Sequence, residues 1–326
     1  RNWSKNVSGK EDSLFNEYTY DIVDVWAGYN MGLRRGFKNL NRNFLAVRVF
    51  DNFYRYEIAV DFLSNRERYD NFSSYLVEYT FYRQQYYKTR YVLRFGVTED
   101  LPYGFSASVT GGYNRVLRVE RPYGAIKLRY SRPNKKGNFY QFNLETSSYF
   151  RDSSFEDIVL FGRAVYYTRA LPVGNKKLRN LVSTSYTQLG NTVTNSPLVL
   201  NKDFISGLST DSLFTDKRLT IGAESTLYTN WSIVGFRLGP FVGIDYALVD
   251  CNTCPKSIDS YFSISAGLRT RNENLIFGTF EMKFSFIPQN EFGESEFVFR
   301  FRQRFRLRDR SFIRKPSLIN YNSTRD

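Results

Sequence analysis

Apolar and polar residues alternate strictly near the C-terminus of the chain. In FVFRFRQRFRLR, from Phe297 to Arg308, one parity carries Phe and Leu, interrupted only by Gln303. The other parity carries, after Val298, the residues Arg300, Arg302, Arg304, Arg306 and Arg308. Because successive side chains of a strand point to opposite faces, this pattern predicts one β-strand with an aromatic face and a cationic face. A helix would mix phenylalanine and arginine on every face.

The same alternation recurs along most of the chain. From Phe280 to Phe286, for example, Phe and Met alternate with Glu281, Lys283 and Ser285. About 15 such segments follow one another, Arg90 to Val97 among them, and their lengths lie near the ~9–11 residues that a tilted strand needs to cross a bilayer. TEDLPYG, after Val97, is predicted to be a turn because Asp100, Pro102 and Gly104 are turn formers. No amphipathic helix of convincing length interrupts the strands.

Two environments fit such strands. In a soluble antiparallel sheet the aromatics would face a core, and in a transmembrane barrel they would face lipid. A soluble sandwich needs two aliphatic inner faces, but nearly every strand here pairs one apolar face with one polar face. We therefore predict an all-β, antiparallel transmembrane β-barrel of about 16 strands, since single-chain bacterial barrels have even strand numbers. A soluble basic nucleic-acid binder is the rival, but it would need only a handful of exposed aromatics for stacking.

Composition limits the kind of membrane span that the chain can form and the kind of partner that it can bind. The mean hydropathy is −0.45, and the sequence has no run of about 18 apolar residues, which excludes helical spans. The net charge of +14 indicates an anionic partner. The arginines alternate with apolar residues along strands, which favours a barrel lumen or membrane rim over a nucleic-acid patch. We expect contact with outer-membrane lipid and lipopolysaccharide, and no binding of nucleic acid.

The sequence offers few residues for catalysis, metal binding or disulfide formation. Histidine is absent, which removes histidine-based triads and histidine-ligated zinc. The two cysteines, Cys251 and Cys254, form one CNTC motif in a polar stretch. We expect a local loop disulfide in an oxidising compartment, with free thiols as the alternative. No nucleophile–base pair can be assembled, so we expect no enzyme activity, no catalytic residue, no bound metal and no cofactor.

The last 120 or so residues resemble a known family. A long loop with an apolar-X-Gly-apolar core precedes five strands, as in the barrel of the BamA/TamA superfamily of Gram-negative outer-membrane assembly proteins. In that family the loop folds into the lumen, and its tip carries a Val-Arg-Gly-Tyr/Phe motif whose arginine meets acidic residues on the next two strands. The tip is matched here by Ile205, Ser206, Gly207 and Leu208, and the acidic residues by Glu224 and Asp245. The segment 267–288 resembles the family's penultimate hairpin.

The sequence departs from the family in three places. Ser206 stands where the family has arginine, and we hypothesise that Arg218, Arg237 or the closing arginine row supplies the missing cation. Only residues 1–17 precede the predicted barrel, whereas assembly barrels of this family carry POTRA modules there. A tail, KPSLINYNSTRD, follows the closing strand, where the family usually ends.

The resemblance and the strand pattern together imply an organisation and a function. We expect a lead-in over residues 1–17, a barrel over 18–310 with loop 190–216 folded into the lumen, and a tail over 311–326. The implied function is insertion or export of outer-membrane or surface proteins, through a weak seam between Tyr20–Leu33 and Phe297–Arg308 in the bacterial outer membrane. Other outer-membrane or periplasmic proteins are the expected partners. The alternatives are a scaffold subunit of a larger outer-membrane complex and an anion-preferring diffusion channel.

Overall fold

Strands and irregular connections make up all of the chain that the structure, a computed structural model, describes. The described residues are 2–5, 17–31, 41–54, 71–92, 95–96, 98–116, 119–193, 198–200, 204–208, 214–250, 258–272, 279–290, 293–304 and 314–322. None of them belongs to a helix long and apolar enough to cross a membrane.

The strands fall into two groups on either side of the long loop. Those before and within it are β1 (Asn2–Lys5), β2 (Glu17–Met31), β3 (Asn41–Tyr54), β4 (Phe72–Arg90), β5 (Thr98–Val116), β6 (Val119–Pro133), β7 (Phe139–Arg151), β8 (Ser154–Tyr167), β9 (Leu171–Val173), β10 (Lys176–Gly190), β11 (Leu198–Val199) and β12 (Phe214–Thr215). Those after it are β13 (Lys217–Tyr228), β14 (Ser232–Ile233), β15 (Phe236–Asp250), β16 (Ile258–Asn272), β17 (Thr279–Ile287) and β18 (Glu296–Arg304).

One antiparallel sheet of 16 strands holds all of these except β11 and β12, which pair with each other inside the loop. The predicted all-β class, the strand number and the long loop before five long strands are therefore confirmed. Two of the 16 are short continuations, because β9 and β14 extend the lines of β8 and β13 along β10 and β15. If each continuation is counted with the strand that it extends, the sheet consists of fourteen rows side by side. These rows follow the order of the chain from β1 to β18.

The two faces of the sheet have the reverse of the polarity of a soluble protein. One face carries exposed large apolar side chains on row after row, for instance Val77 at 49%, Val109 at 57% and Phe299 at 56% exposure. The opposite face is buried and largely polar, with members that include Thr80, Thr110, Thr187, Ser263 and Glu281. Isolated exposed apolar residues are common in soluble proteins, but an apolar face that continues across a sheet over a polar interior is typical of transmembrane barrels.

A side chain that crosses the interior shows that the sheet is rolled. Nη1 of Arg179 on β10 donates a hydrogen bond to the carbonyl of Arg90 at the end of β4, at 3.1 Å. These strands lie five steps apart in the sheet, about 24 Å if it were flat at ~4.8 Å per strand. The ring of Phe95, in the connection after β4, likewise lies 5.1 Å from the ring of Tyr228 on β13. The polar face is therefore the inside of a barrel.

The strand and turn predictions near residue 100 are wrong. Tyr91, Val92, Phe95 and Gly96 lie in the connection between β4 and β5, where a strand was expected. TEDLPYG, expected to be a turn, is the first part of β5. Pro102 is tolerated there because β5 pairs with β6 only from Gly104 onward, so the backbone of the earlier segment is paired with β4 alone.

Candidate functional site in the barrel interior

The tip of the long loop, residues 204–208, lies on the inner wall formed by β15, β16 and β17. The Ser206 amide donates a hydrogen bond to Oδ2 of Asp245 at 3.0 Å, and Oγ of Ser263 donates to the Ser206 carbonyl at 2.6 Å. Nζ of Lys283 donates to Oγ of Ser206 at 2.5 Å. The structure therefore brings the predicted loop motif together with Asp245, and adds Ser263 and Lys283 to the contact.

Only glycine fits at the third position of this tip. Gly207 has φ of +96°, in the left-handed region that side chains disfavour, and a Cβ built on it would lie 2.8 Å from Cβ of Ser285. The flanking Ile205 and Leu208 are almost completely buried. They belong to an apolar cluster with Leu200, Phe204, Ala247, Val249, Tyr261 and Ile287. The loop is thus held by shape and apolar burial as well as by hydrogen bonds.

A chain of four alternating charges runs beside the loop tip towards the closing strand. Arg269 on β16 binds both carboxylate oxygens of Glu224, from Nη1 at 2.6 Å and Nη2 at 2.7 Å. Its Nε binds Oε2 of Glu281 at 2.7 Å, and Nη2 of Arg302 binds Oε1 of the same carboxylate at 2.6 Å. Two cations and two carboxylates compensate one another, and the paired oxygens have the short distances of charge-assisted bonds.

Arg269, which was not among the candidates from the sequence, is a cation that binds Glu224. Arg218 on β13 instead binds two carbonyls, of Val199 in the loop and of Tyr321 in the tail. Arg237 on β15 donates to the carbonyl of Phe95 at 3.5 Å. Sequence reasoning missed Arg269, although it stands directly opposite Glu281 in the β16–β17 pairing, where opposite charges are favoured.

The closing strand has the predicted division of faces over its described part. Phe297, Phe299 and Phe301 are exposed on the outer face, while Arg300 and Arg302 are half-buried. Arg304 belongs to β18, but its side chain lies outside the described residues, as do Arg306 and Arg308. Cys251 and Cys254, the candidate disulfide, also lie outside them.

The C-terminal tail, residues 314–322, is a second segment on the inner wall, and its position was not foreseen from the sequence. Three of its carbonyls accept hydrogen bonds from wall cations: Pro316 from Arg48 Nη1 at 2.9 Å, Ser317 from Lys127 Nζ at 2.7 Å and Tyr321 from Arg218 Nη2 at 2.6 Å. The Ile319 amide donates to the Tyr123 hydroxyl at 3.2 Å. The tail therefore touches β3, β6 and β13.

Side chains of the tail also have partners inside the barrel. Nζ of Lys315 lies 2.6 Å from Oδ2 of Asp24 on β2. Ile319 is buried in an apolar cluster with Leu76, Tyr123, Ala125, Val159, Leu189 and Leu198. Leu318 and Tyr321 pack against the same cluster, and Oδ1 of Asn322 accepts a hydrogen bond from the Val199 amide of the loop at 2.9 Å.

The apolar outside, the polar inside and the two inserted segments define the class of the chain as a β-barrel of the membrane-spanning kind. No family model matches the sequence, and no curated protein matches it. Among solved structures it is similar to a protein described as "Bacterial polysaccharide outer membrane secretin", with a TM-score of 0.33 and 12% identity, over 87% of this chain and 91% of that one. A TM-score this low carries no functional argument.

Proposed function

We propose that the chain is an outer-membrane barrel related to the BamA/TamA superfamily, and that it inserts or exports outer-membrane or surface proteins. The proposal rests on the two edge strands of the sheet, each of which is paired on one side. Among the described residues β1 pairs with β2 alone and β18 pairs with β17 alone. An unpaired edge offers backbone groups on which a client strand can add.

The loop supports the relation to the superfamily. Its tip lies against the strands that follow it and binds Asp245, one of the two acidic residues matched to the family's partners. The cation comes from the wall, where Arg269 binds Glu224 and Lys283 reaches Ser206. The exposed apolar face supports a place in the membrane, and an outer membrane is where barrels of this type reside.

A scaffold subunit of a larger outer-membrane complex is the second candidate. It is favoured by Ser206, which leaves the loop without the cation that the insertase motif carries. The diffusion channel is disfavoured, because the loop tip and the tail both occupy the inner wall and bind its cations. A lumen crossed by two bonded segments is unlike the aqueous pores of porins.

Photo-crosslinking at matched aromatic positions tests the proposal. A photoreactive residue replaces Phe299 on the β18 edge or, as the control, Phe142, which is also exposed on the outer face but belongs to β7 in the middle of the sheet. The protein is reconstituted in vesicles and supplied with an unfolded outer-membrane protein. We expect faster folding of the client than in empty vesicles, and crosslinks at position 299 well above those at 142.

Equal crosslinking at both positions together with unchanged client folding would overturn the insertase function and leave the scaffold. Steady single-channel conductance in the same vesicles would support the channel instead.

A further inference from the structure

An apolar groove lies on the outer face of the sheet, over the middle of β8. It has a volume of about 400 Å³ and is lined by Gly162 and Ala164 of that strand. Large side chains that are exposed on the outer face stand beside it: Leu128, Tyr130, Phe142, Leu144 and Tyr186. The apolar outer face is therefore indented here, with walls on β6 and β7 to one side and on β10 to the other.

The strand itself does not require the open space over Gly162. A Cβ built on Gly162 would meet no atom within 4 Å, and its φ is not in the left-handed region. The residue pairs in regular register with Leu144 on β7 and with Tyr186 on β10. Glycine weakens the interior of a strand and often marks a bulge or the close approach of a ligand. Since the register is regular, the glycine at this position is explained by a ligand that lies in the groove.

One end of the groove reaches a pair of tyrosines. Tyr140 on β7 stands opposite Tyr166 on β8, and their ring centroids are 4.9 Å apart. They occupy the next outer-face positions beyond Phe142 and Ala164. Tyrosine is enriched where a membrane meets water, because its ring is apolar and its hydroxyl is polar. This end of the groove therefore lies at the level of the lipid head groups.

Beyond the tyrosines lies a group of exposed cations, which we call the basic rim: Arg132, Lys135, Lys136 and Arg169. The Arg169 amide donates a hydrogen bond to Oδ1 of Asn138 at 2.8 Å, which holds the two connections of the rim together. No ion pair joins a rim residue to another residue in the described part of the chain. The segments 130–143 and 162–186 contain no Asp or Glu, so the rim has a net positive charge and attracts anionic head groups.

We propose that the groove and the basic rim form one binding site for an anionic phospholipid, with an acyl chain in the groove and the phosphate at the rim. From Ala164 to Thr168 the chain rises about 13 Å at ~3.3 Å per residue, whereas one leaflet of a bilayer is about 20 Å thick, so a single lipid spans both parts. The walls on β6 and β10 confine the groove, which favours a phospholipid over a glycolipid with many chains. The inference stands apart from the proposed function, because the site lies in the middle of the sheet and not at its edges.

Filling the groove tests the acyl-chain half of the site. The delipidated barrel in an uncharged detergent is titrated with fluorescent phosphatidylglycerol, and the anisotropy of the lipid is measured. Gly162→Leu should bind at least about tenfold more weakly, because the exclusion of two methylenes from an apolar groove already accounts for that factor. Gly124→Leu is the matched control, since Gly124 is also exposed on a strand and its Cβ would also meet no atom within 4 Å. It lies outside the groove and should leave the affinity unchanged.

Neutralising the rim tests the head-group half. The double variant Lys135→Gln/Lys136→Gln should bind phosphatidylglycerol at least about tenfold more weakly, from the loss of two cations beside an anionic head group. Phosphatidylcholine with the same chains should bind both proteins equally. Arg115→Gln/Lys217→Gln, at the opposite ends of their strands, is the control and should keep the wild-type affinity.

Three results would overturn the proposal. One is equal affinity of the wild type for phosphatidylglycerol and phosphatidylcholine, and another is unchanged binding in Gly162→Leu. Preferential binding of lipid A would assign the groove to a glycolipid instead. None of these results depends on insertion of a client, so the site can fail while the proposed function stands.

Discussion

The loop tip and the tail are held on the same inner wall by different means. The tip is fixed by the burial of Ile205 and Leu208, by the left-handed conformation of Gly207, and by the bonds of Asp245 and Ser263 to the amide and carbonyl of Ser206. The tail is fixed by wall side chains that bind its carbonyls, by the packing of Leu318, Ile319 and Tyr321, and by polar bonds of the Lys315 and Asn322 side chains. The loop tip is therefore held by a close local fit against β15, β16 and β17, while the contacts of the tail are spread over β2, β3, β6 and β13.

This difference predicts that changes at the loop act on the whole barrel and that changes at the tail act locally. The wall beneath the loop includes the charge chain from Glu224 to Arg302, which links the strand after the loop to the closing strand. Around the tail, the wall cations Arg48, Lys127 and Arg218 each donate to a tail carbonyl, and the ion pairs there join Asp24 with Arg48 and Lys315, and Glu78 with Lys127.

The largest effect is expected at Glu281. Glu281→Gln removes the charge that Arg269 and Arg302 share, in a side chain only 1% exposed. Breaking one member of a buried ion network typically costs about 3–5 kcal/mol, so the urea midpoint of the purified barrel should fall markedly. Glu294→Gln, at an exposed carboxylate in the turn before β18, is the control and should leave the midpoint unchanged. Equal midpoints for the two variants would show that the charge chain does not stabilise the barrel.

A smaller loss is expected at Gly207. Gly207→Ala places a Cβ 2.8 Å from Ser285 and demands a left-handed backbone of alanine, for a cost of about 1–3 kcal/mol. Adding Ser285→Gly removes the close contact but leaves the backbone strain, so only part of the loss should return. Urea denaturation of the single and double variants separates the cost of the close contact from the cost of the backbone strain. Full recovery in the double variant would assign the whole cost to the contact, and no loss in the single variant would contradict the fixed fit of the tip.

The smallest effect is expected at the tail. Tyr123→Phe removes the hydroxyl that accepts the Ile319 amide and also bonds with Ser147, and each such hydrogen bond is worth about 1 kcal/mol. The tail should become more susceptible to protease, while the urea midpoint of the barrel changes little. Ser317→Ala is the matched change on the tail itself, and should scarcely alter cleavage because Lys127 binds the carbonyl of that residue. A drop in barrel stability as large as that of Glu281→Gln would remove the distinction between loop and tail.

The sequence predicted the barrel because alternation is a local property of each strand. It also located the loop tip and Asp245, through a resemblance in residue order. It failed where an outcome depends on pairing between strands. Pro102 is acceptable in β5 only because the pairing of β5 with β6 ends at Gly104, and Arg269 reaches Glu224 only because the intervening β15 brings β13 and β16 close together. The place of the tail could not be predicted either, since the side chains that bind its carbonyls come from β3, β6 and β13, which are far from the tail in the sequence.

The reach of the tail has a consequence for the order of events during assembly. Lys315 meets Asp24 on β2, and Tyr321 meets Arg218 on β13, two strands that lie eight rows apart in the sheet. A growing sheet that has not yet curled cannot offer both contacts to a segment of seven residues. The tail can therefore find its place only after the far strands have come round, so that its protection from proteases reports a completed barrel and its exposure marks an unfinished one.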